Sequence, residues 1–561
     1  MTFRVLLGLG GFAAAVLLSA PTALARPGDL IIFGGPIHTA EDARPQAEAV
    51  AVREGRIAYV GDLEAARAAL DADAAEIDLR GAALFPGFTD AHAHLNGIGE
   101  RELTLNLEGS ASIAEAMARL SAWAEANPTG PIVGRGWIET HWPEARFLTR
   151  QDLDAAAPGR VVLLGRADGH ATAVSSAALE AAGITRETQA PSGGEILKDA
   201  GGEPTGLLVD AAEQLVASLM PRPTPERLER IYQEGFSVYA RYGWTGLHYM
   251  SAPMADVPLM ERMAEEGRAP LRVYNAVDMS GAGPLFESGP REAADGRIIT
   301  RAIKVYADGA LGSRGAALFE AYHDRPDTRG LMQTSEAQIL PVYERALRRG
   351  IQVATHAIGD RGNAEVLGWY MDAMSAVPPS ERAVREPRWR IEHAQIVRPG
   401  DYAMFAGMNV IASMQPSHAI GDLHFAPARL GDQRLDGAYA WRSLIESGVT
   451  VVGGSDAPVE RGDPLIEFYA AVWRHDLNGH QGPDWRPQEA VSRSDALKMF
   501  TLWPAYASFR EDELGSITAG KRADFTVFDV DLMTAAPEDI PQGRALLTVV
   551  DGQVVYRAEG W

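Results

Sequence analysis

The segment FPGFTDAHAHL (residues 85–95) places two histidines, His92 and His94, at the end of an apolar run that follows the Pro86-Gly87 turn. Side chains two residues apart on an extended strand project to the same side, so both imidazoles can hold one metal ion. Taken alone, the His-x-His pair is equally compatible with two polar residues that close a strand. The segment therefore predicts a strand that starts at a turn and ends in a candidate metal site.

Seven further apolar runs of strand length follow this segment, and helical patterns separate them. Eight strands that alternate with helices are the sequence signature of a (β/α)8 TIM barrel of the α/β class, which we assign to residues 86–510. About 150 residues separate His94 from Trp244, far more than a βα loop needs, so we expect an inserted subdomain at about 96–240, after barrel strand one. The eight runs are LFPGFTDAH, WTGLHYM, LRVYNAVD, AIKVYAD, IQVATHAIG, WRIEHAQ, MNVIASMQ and VTVVGGSDA.

The two ends of the chain carry a different pattern, made of short β-rich runs broken by Gly and Pro. In AEAVAVREGRIAYVGD and ALLTVVDGQVVYRAEG, the dipeptides Glu54-Gly55 and Asp551-Gly552 stand where hairpin turns are expected. We therefore predict that residues 26–85 and 511–561 pair into one small β-sandwich domain beside the barrel.

The N-terminus and the composition bear on where the protein acts. Residues 1–25 contain a basic residue, an apolar stretch and a final Ala-Leu-Ala, the three parts of a cleavable secretory signal peptide. The 561-residue chain has no cysteine and a net charge of −23. We expect an exported, periplasmic bacterial protein with no nucleic-acid partner and no stable membrane insertion after cleavage; a retained membrane anchor is the alternative. The sequence leaves open whether the protein forms a homo-oligomer.

Three later runs end in residues that bind metals, each followed by Gly, Ala or Pro: His356 after IQVAT, His393 after WRIE, and Asp456 after VVGGS. In a barrel, the carboxyl ends of the strands share the face where active sites lie. A fourth run, AIKVYADG, has Lys304 inside an apolar strand, where an unpaired ammonium would pay a large desolvation cost. Either this lysine reaches solvent or pairs with an acid such as Asp308, or carbon dioxide converts it to a carbamate that can bridge two cations.

Together, these motifs resemble the amidohydrolase superfamily: PGFTDAHAHL is followed by Lys, His, His and Asp at the ends of strands four, five, six and eight. The stretches GRGWIETHWPEARFLTRQDLDAAAP, RADGHATAVSSAAL, VYADGALGSRGAAL and GSDAPV are similar to the amidohydrolase 3 branch, which includes N-substituted formamide deformylase-like proteins. The resemblance covers nearly the whole mature chain. It implies a metal-dependent hydrolase that cleaves a non-peptide, amide-type C–N bond of a small-molecule substrate.

The same resemblance implies a binuclear metal centre. The first two histidines and the aspartate would hold the deeper ion, and the N6-carboxylated lysine would bridge it to a second ion held by the two later histidines. Zinc is the favoured ion, although other first-row divalent metals accept these ligands. The ions would activate a hydroxide, while Asp456 acts as general base and then as general acid toward the leaving amine. The implied ligands are His92, His94, Lys304, His356, His393 and Asp456.

Substrate contacts are expected from four residues outside the metal ligands. His170 matches the D-G-H motif of the branch, and Arg314 lies on a Gly-rich loop just past Lys304; a structural histidine and a surface arginine are the alternatives. Trp137 in the insertion and His418 at the end of strand seven are expected to line the pocket. Asp90, two residues before His92, either orients a metal ligand or caps the strand in solvent.

Three other functions are compatible with parts of this pattern. A single-metal deaminase of the same superfamily uses the histidines and the aspartate but no bridging lysine. Binuclear machinery of this kind also serves ester, lactone and phosphotriester hydrolysis, because the same activated hydroxide attacks C–O and P–O bonds. A non-catalytic binding protein on the same barrel is the third alternative, since a fold does not guarantee activity.

Overall fold

The computed structural model describes residues 28–191, 193–221, 223–482 and 485–561. The expected signal peptide, residues 1–25, lies outside these residues. Within the described part of the chain, no helix is both long and apolar enough to cross a membrane.

A barrel of eight parallel strands forms the centre of the molecule, and each strand overlaps one of the eight predicted runs. The eighth strand returns to the first, because the Asp456 N–H donates to the His92 carbonyl at 2.6 Å and the His94 N–H donates to the Ala457 carbonyl at 2.8 Å. The predicted TIM barrel is thereby confirmed. In chain order, the barrel strands are Phe88–Ala93, Trp244–Ala252, Arg272–Val277, Ile298–Tyr306, Gln352–Ala357, Arg390–His393, Ile411–Met414 and Val451–Gly453.

Helices connect the barrel strands and pack against them in one continuous apolar core. Helix Pro225–Tyr242 illustrates how the sequence sets their ends: the Thr224 side chain accepts the Arg227 N–H, and Gly243 ends the helix with a φ of 103°. The helices of the barrel are Leu95–Leu103, Pro225–Tyr242, Val257–Glu265, Ala282–Ser288, Glu336–Arg349, Asp360–Ala376, Tyr402–Met408, Pro416–Asp422, Ala426–Leu430, Trp441–Glu446, Pro464–Trp473, Arg493–Phe500 and Leu502–Ala507. Short 3-10 helices lie at Met254–Asp256, Met279–Gly281, Pro399–Asp401, Asp432–Gly437 and Pro487–Glu489, and strand Arg291–Ala293 pairs antiparallel with the fourth barrel strand.

The two chain ends form one β-layer, as predicted, with Ala83–Pro86 antiparallel to Phe525–Phe528. The strands of both chain ends are joined into one hydrogen-bonded set. Strand Leu30–His38 makes this join: its first half pairs with Ala75–Asp78 and, after a bulge, Ile37 pairs with Leu84. The other strands are Gln46–Arg53, Arg56–Gly61, Ala545–Val550 and Gln553–Arg557, with helix Leu63–Ala68 and the 3-10 helix Pro537–Gln542.

Both predicted hairpin turns are present in this sheet. Glu54 and Gly55 have φ of 50° and 78°, and Asp551 and Gly552 have φ of 50° and 72°, so all four residues adopt left-handed conformations. Two consecutive left-handed residues match the twist of the flanking antiparallel strands, which is why Asp-Gly is favoured there. The turns therefore fix the register of both hairpins.

A second sheet lies between the first and second barrel strands in the sequence, inside the segment where the insertion is expected. It has its own apolar clusters, whereas Leu95, Ile98, Tyr232 and Phe236, near the two ends of that segment, pack in the barrel core. The strands of this sheet are Leu105–Asn106, Ile132–Trp137, Val162–Arg166, Ala171–Val174, Gly194–Lys198 and Pro204–Asp210. Its helices are Ile113–Ala126, Arg150–Ala156 and Ser176–Ala181, with 3-10 helices Glu139–His141 and Ala211–Leu219.

Candidate metal centre

The six residues expected to bind metal all line one cavity of about 420 Å³. They come from five barrel strands whose carboxyl ends meet there, which is the face where this fold carries active sites. Parallel pairing brings them together, since strands far apart in sequence become neighbours in the barrel. The converging residues are His92, His94, Lys304, His356, His393 and Asp456.

The closest ligand atoms surround the carboxylate of Asp456. Its Oδ1 lies 3.0 Å from His94 Nε2 and 3.4 Å from His92 Nε2. One ligand atom from each of His92, His393 and Asp456 lies within 4.8 Å of the other two. Lys304 Nζ is 3.1 Å from His92 Nε2. Nitrogen and carboxylate oxygen at this spacing form a donor set that suits zinc and similar divalent ions.

Three of the histidines are oriented through the ring nitrogen that points away from this cluster. His92 Nδ1 lies 2.6 Å from Glu392 Oε2, His94 Nδ1 lies 3.0 Å from the Met250 carbonyl, and His393 Nδ1 lies 2.8 Å from Gln415 Oε1. A partner of this kind fixes the tautomer and leaves Nε2 as the ligand nitrogen. The Nε2 atoms of these three histidines are therefore the candidate ligand atoms.

His356 differs from the other histidines, because its Nε2 lies 3.5 Å from both the Gly309 carbonyl and Asp308 Oδ1. Its Nδ1 is thus the nitrogen available as a ligand. The Asp308 carboxylate accepts the N–H groups of Ala317, Ile358 and Gly359, and so it ties the loop after strand four to the loop after strand five.

The electrostatics of the site favour the protonation states that metal ligands need. Burial, together with the charge of Lys304, lowers the pKa of His92 to about 4, and burial also holds the pKa values of His356 and His393 well below the usual range. For Asp456, burial alone would raise the pKa, but the neighbouring histidines outweigh burial and hold the pKa well below its usual range. Neutral imidazoles and an ionised carboxylate are the metal-binding forms, so the residues fit a metal ion.

Lys304 is buried, with 1% of its surface exposed, and burial lowers the pKa of its ammonium to about 8. The two structural alternatives for this lysine do not hold. It does not reach solvent, and no carboxylate of the described residues forms an ion pair with it within 4.0 Å. Asp308 instead bonds to backbone N–H groups. Lys304 therefore lies in the cavity as a buried amine next to His92, one of the candidate ligands.

Asp90 is buried, which excludes the solvated cap. Its Oδ1 accepts the N–H groups of His92 and Ser455, at 3.0 and 2.9 Å, and its Oδ2 accepts the Tyr239 hydroxyl. Asp90 thus ties the backbone of the first strand, at His92, to the backbone after the eighth strand, at Ser455, which directly precedes Asp456. It does not contact an imidazole. Burial raises the pKa of Asp90 to about 6.

Two of the four residues expected to contact substrate line the cavity. His418 Nε2 lies 3.8 Å from Asp456 Oδ2. His170 Nδ1 lies 2.7 Å from Asp210 Oδ1. Burial alone would lower the pKa of His170, but the hydrogen bond to Asp210 and the charge of Asp168 outweigh burial and raise the pKa.

The structure does not bring Trp137 and Arg314 to the cavity wall. Trp137 is fully buried in the core of the insertion sheet, where its indole N–H donates to the Leu164 carbonyl at 2.7 Å. Arg314 pairs with Asp324 at 2.9 Å. Their neighbours in sequence line the cavity instead, among them Ile138 and Gly312.

Sequence reasoning missed several residues that shape the site. Glu392 and Gln415 orient two of the histidines, and Glu392 could have been noticed because it stands directly before His393. The insertion adds Arg135, Arg166 and Asp168 to the wall, and no local pattern distinguishes them from surface charges. The remaining charged residues of the wall are Glu100, Asp422 and Glu460.

Comparison with known proteins identifies the family of this chain. The model of the amidohydrolase family matches residues 75–556. The Bacillus subtilis protein YtcJ is 34% identical over 543 residues, which cover 94% of this chain and 99% of YtcJ. The N-substituted formamide deformylase of Arthrobacter pascens is 31% identical over 553 residues, or 95% of this chain and 99% of the deformylase. Among solved structures, an uncharacterized metal-dependent hydrolase from Pyrococcus furiosus is 27% identical with a TM-score of 0.70, covering 90% of this chain and 100% of the hydrolase.

The family match extends from the sheet of the chain ends through the whole barrel, and it includes all six residues of the candidate metal centre. Two full-length relatives exceed 30% identity over nearly the whole chain. The chain therefore belongs to the amidohydrolase family of metal-dependent hydrolases.

Proposed function

We propose that this protein hydrolyses an amide-type, non-peptide C–N bond of a small molecule at a binuclear metal centre. The observation that carries the proposal is the convergence of six ligand-type residues on one cavity at the carboxyl face of the barrel. The likeness to an N-substituted formamide deformylase over 95% of the chain adds support for a C–N bond as the target.

The ligands divide by position into two groups. His92 and His94, together with Asp456, would hold one ion, while His356 and His393 would hold the other. Lys304 stands beside His92 in a buried position, where its carbamate would supply a further carboxylate ligand. When bound, the ions would polarise the substrate carbonyl and lower the pKa of water, and zinc is the ion that the donor set favours.

Protein residues supply the proton transfers and the orientation of substrate. Asp456 is ionised and reaches His94, His92 and His418 within 3.0 to 3.8 Å, so it can accept the proton of the attacking water and deliver it to the leaving amine. His170, held by Asp210, stands on the insertion side of the same cavity, where it can donate to the substrate carbonyl oxygen.

The decisive experiment combines metal quantification with a panel of N-substituted formamides, N-acyl amines, cyclic amides and esters. We expect two metal ions per chain and turnover of an amide. Lys304→Ala and Asp456→Ala should each lower kcat by at least about 10³-fold. Exposed residues of the same types give the matched controls Lys198→Ala and Asp327→Ala, which should keep full turnover.

The outcomes separate the alternatives. One ion per chain with an active Lys304→Ala variant would support a single-metal deaminase. Cleavage of esters alone would support an ester hydrolase, and an active protein free of metal would overturn the proposal. Lysine carboxylation predicts an added mass of one carbon dioxide on the intact chain, and this mass should be absent from Lys304→Ala.

Export is also part of the proposal, on the strength of the pattern in residues 1–25. Expression in a bacterium, followed by separation of the periplasm and N-terminal sequencing of the mature chain, tests it. We expect a periplasmic protein that begins at Arg26. A full-length chain in the cytoplasm or in the membrane fraction would contradict export.

A further inference from the structure

A second cavity, of about 290 Å³, adjoins the metal cavity. Glu460 lines both cavities and so forms part of the wall between them. Helix Pro416–Asp422 supplies more of this wall: His418 lines the metal cavity, while Ser417 lines the second one. A ligand that fills both cavities would therefore pass Glu460.

The second cavity is rich in carboxyl groups, and their charges are only partly compensated. Glu108 lies 3.5 Å from Arg461, and Asp476 lies 3.0 Å from His424. Glu460, Asp463 and Glu467 also line the cavity, and within the described ranges none of these three has a Lys, Arg or His nitrogen within 4.0 Å. The cavity therefore holds an excess of acidic groups that the protein itself does not neutralise.

Two buried polar atoms in the wall of this cavity have no hydrogen-bond partner among the described residues. Glu467 is 1% exposed: its Oε2 accepts the Ser417 N–H at 3.0 Å, but its Oε1 has no partner. The Ser417 hydroxyl, in a residue 3% exposed, lies beside this carboxylate but makes no hydrogen bond of good geometry. A buried carboxylate oxygen without a partner is costly, so these atoms mark a place for a ligand that donates hydrogen bonds.

The remaining wall and the size of the cavity identify the chemistry of that ligand. Ile420, Ile466 and Leu477 contribute apolar surface, and the volume exceeds what a bare metal ion needs. An alkylammonium group combines an apolar stem with three N–H donors and a positive charge. Burial raises the pKa of Glu460 to about 7 although the charge of His418 opposes the shift, and a bound cation would lower this pKa further.

We propose that the second cavity binds a protonated alkylamine and thereby selects amide substrates that carry an ammonium group away from the scissile bond. The binding of the amine is independent of the catalytic activity, whereas the selection rests on the proposed hydrolysis. With N-formylcadaverine as substrate, water adds to the formyl carbon and the C–N bond breaks. Formate and cadaverine are then the products.

Calorimetry on the full-length, metal-loaded protein tests the binding. Pentylamine should bind, and its neutral counterpart pentanol should bind at least about tenfold more weakly. Glu460→Gln and Glu467→Gln should each weaken pentylamine binding by about tenfold or more, while Glu64→Gln, an exposed glutamate on another helix, should not. Equal binding of the amine and the alcohol, or equal amine binding by wild type and both variants, would overturn the proposal.

Kinetics test the selection. Wild type should have a kcat/KM for N-formylcadaverine at least about tenfold above that for N-formylpentylamine, and this ratio should fall toward one in Glu460→Gln. Equal kcat/KM ratios in wild type and Glu460→Gln would contradict the proposed selection of ammonium-bearing substrates, but they would not contradict the proposed hydrolysis. If neither formamide is cleaved, it is the proposed hydrolysis that loses support, and the calorimetry still decides on the amine site.

Discussion

At the scale of single residues, the candidate metal centre depends on a carboxylate, Glu392, that lies behind His92. Glu392 bonds to His92 Nδ1 at 2.6 Å and accepts two bonds from Arg390, at 2.7 and 3.0 Å. Arg390 also donates to the Ala91 carbonyl and the Ser413 hydroxyl, and it lies 2.6 Å from His248. Because this buried network is saturated with hydrogen bonds, the charge of Glu392 is compensated and the pKa of its carboxyl stays below the usual range.

Glu392→Gln should therefore damage both the site and the fold. Metal affinity is expected to fall by about 10–100-fold because His92 loses the partner that orients it. The free energy of unfolding should fall by about 3–5 kcal/mol because Arg390 is left buried without a counter-charge. Metal content in a zinc buffer and urea unfolding measure the two effects. Glu365→Gln is the matched control, since Glu365 pairs with Arg361 on a helix surface, and a variant of Glu392 that behaved like it would contradict this role.

Sequence reasoning predicted the six metal-type residues but not their partners, and the reason is physical. A histidine after a β-rich run is visible locally, because strand ends share one face of the barrel. The partner of His92 is 300 residues away, and nothing in the run around His92 indicates it. Trp137 shows the opposite limit. Arg135, two residues earlier, lines the cavity, but the register shifts between Arg135 and Trp137 at Gly136, whose φ is 98°, and the indole packs in the insertion core.

At the scale of elements, the hairpin turn at Asp551-Gly552 joins the terminal sheet to the barrel. Asp551 Oδ1 lies 2.5 Å from Arg272 Nη2 and 3.1 Å from Arg522 Nη1, and its Oδ2 lies 2.7 Å from Arg297 Nη2. Arg272 begins the third barrel strand, and Arg297 directly precedes the fourth. The turn itself was predictable from sequence, whereas its ion pairs depend on contacts between distant segments.

Asp551→Asn should lower stability in a pH-dependent way. Burial alone would raise the pKa of Asp551, but Arg272 and Arg297 outweigh burial and lower it from 3.8 to about 2. A depressed pKa means that the ion pairs stabilise the fold above 3.8, and that this contribution is lost as the pH falls through about 2. The variant should therefore lose about 2–3 kcal/mol at neutral pH and distinctly less near pH 3.

Urea unfolding of wild type and Asp551→Asn at both pH values measures this difference. Asparagine tolerates the left-handed conformation of the turn, so the substitution removes the charge without straining the backbone. Asp327→Asn, at a carboxylate that is 73% exposed, controls for the loss of one negative charge. A stability loss that stayed constant between the two pH values would rule out the ion pairs as its cause.

At the scale of the whole molecule, the larger cavity is lined by two parts of the chain, the barrel and the insertion. The eight barrel strands are local apolar runs, so the sequence was sufficient to predict them and their order. The other wall comes from the hairpin around Arg166 and His170 in the insertion, and its approach to the barrel follows from packing between two cores. This is why the convergence of the candidate metal-binding residues was predictable in advance and much of the remaining cavity wall was not.

Removal of the metal should lower the stability of the whole molecule, because its proposed ligands come from barrel strands one, four, five, six and eight. An ion present at about 1,000 times its Kd stabilises the native state by about 4 kcal/mol. We expect a chelator to lower the Tm by at least about 5 °C and zinc to restore it. A variant that combines His92→Ala and His393→Ala should not respond to the chelator. A wild-type Tm that stays constant while elemental analysis shows complete loss of metal would mean that the ions do not hold the barrel strands together.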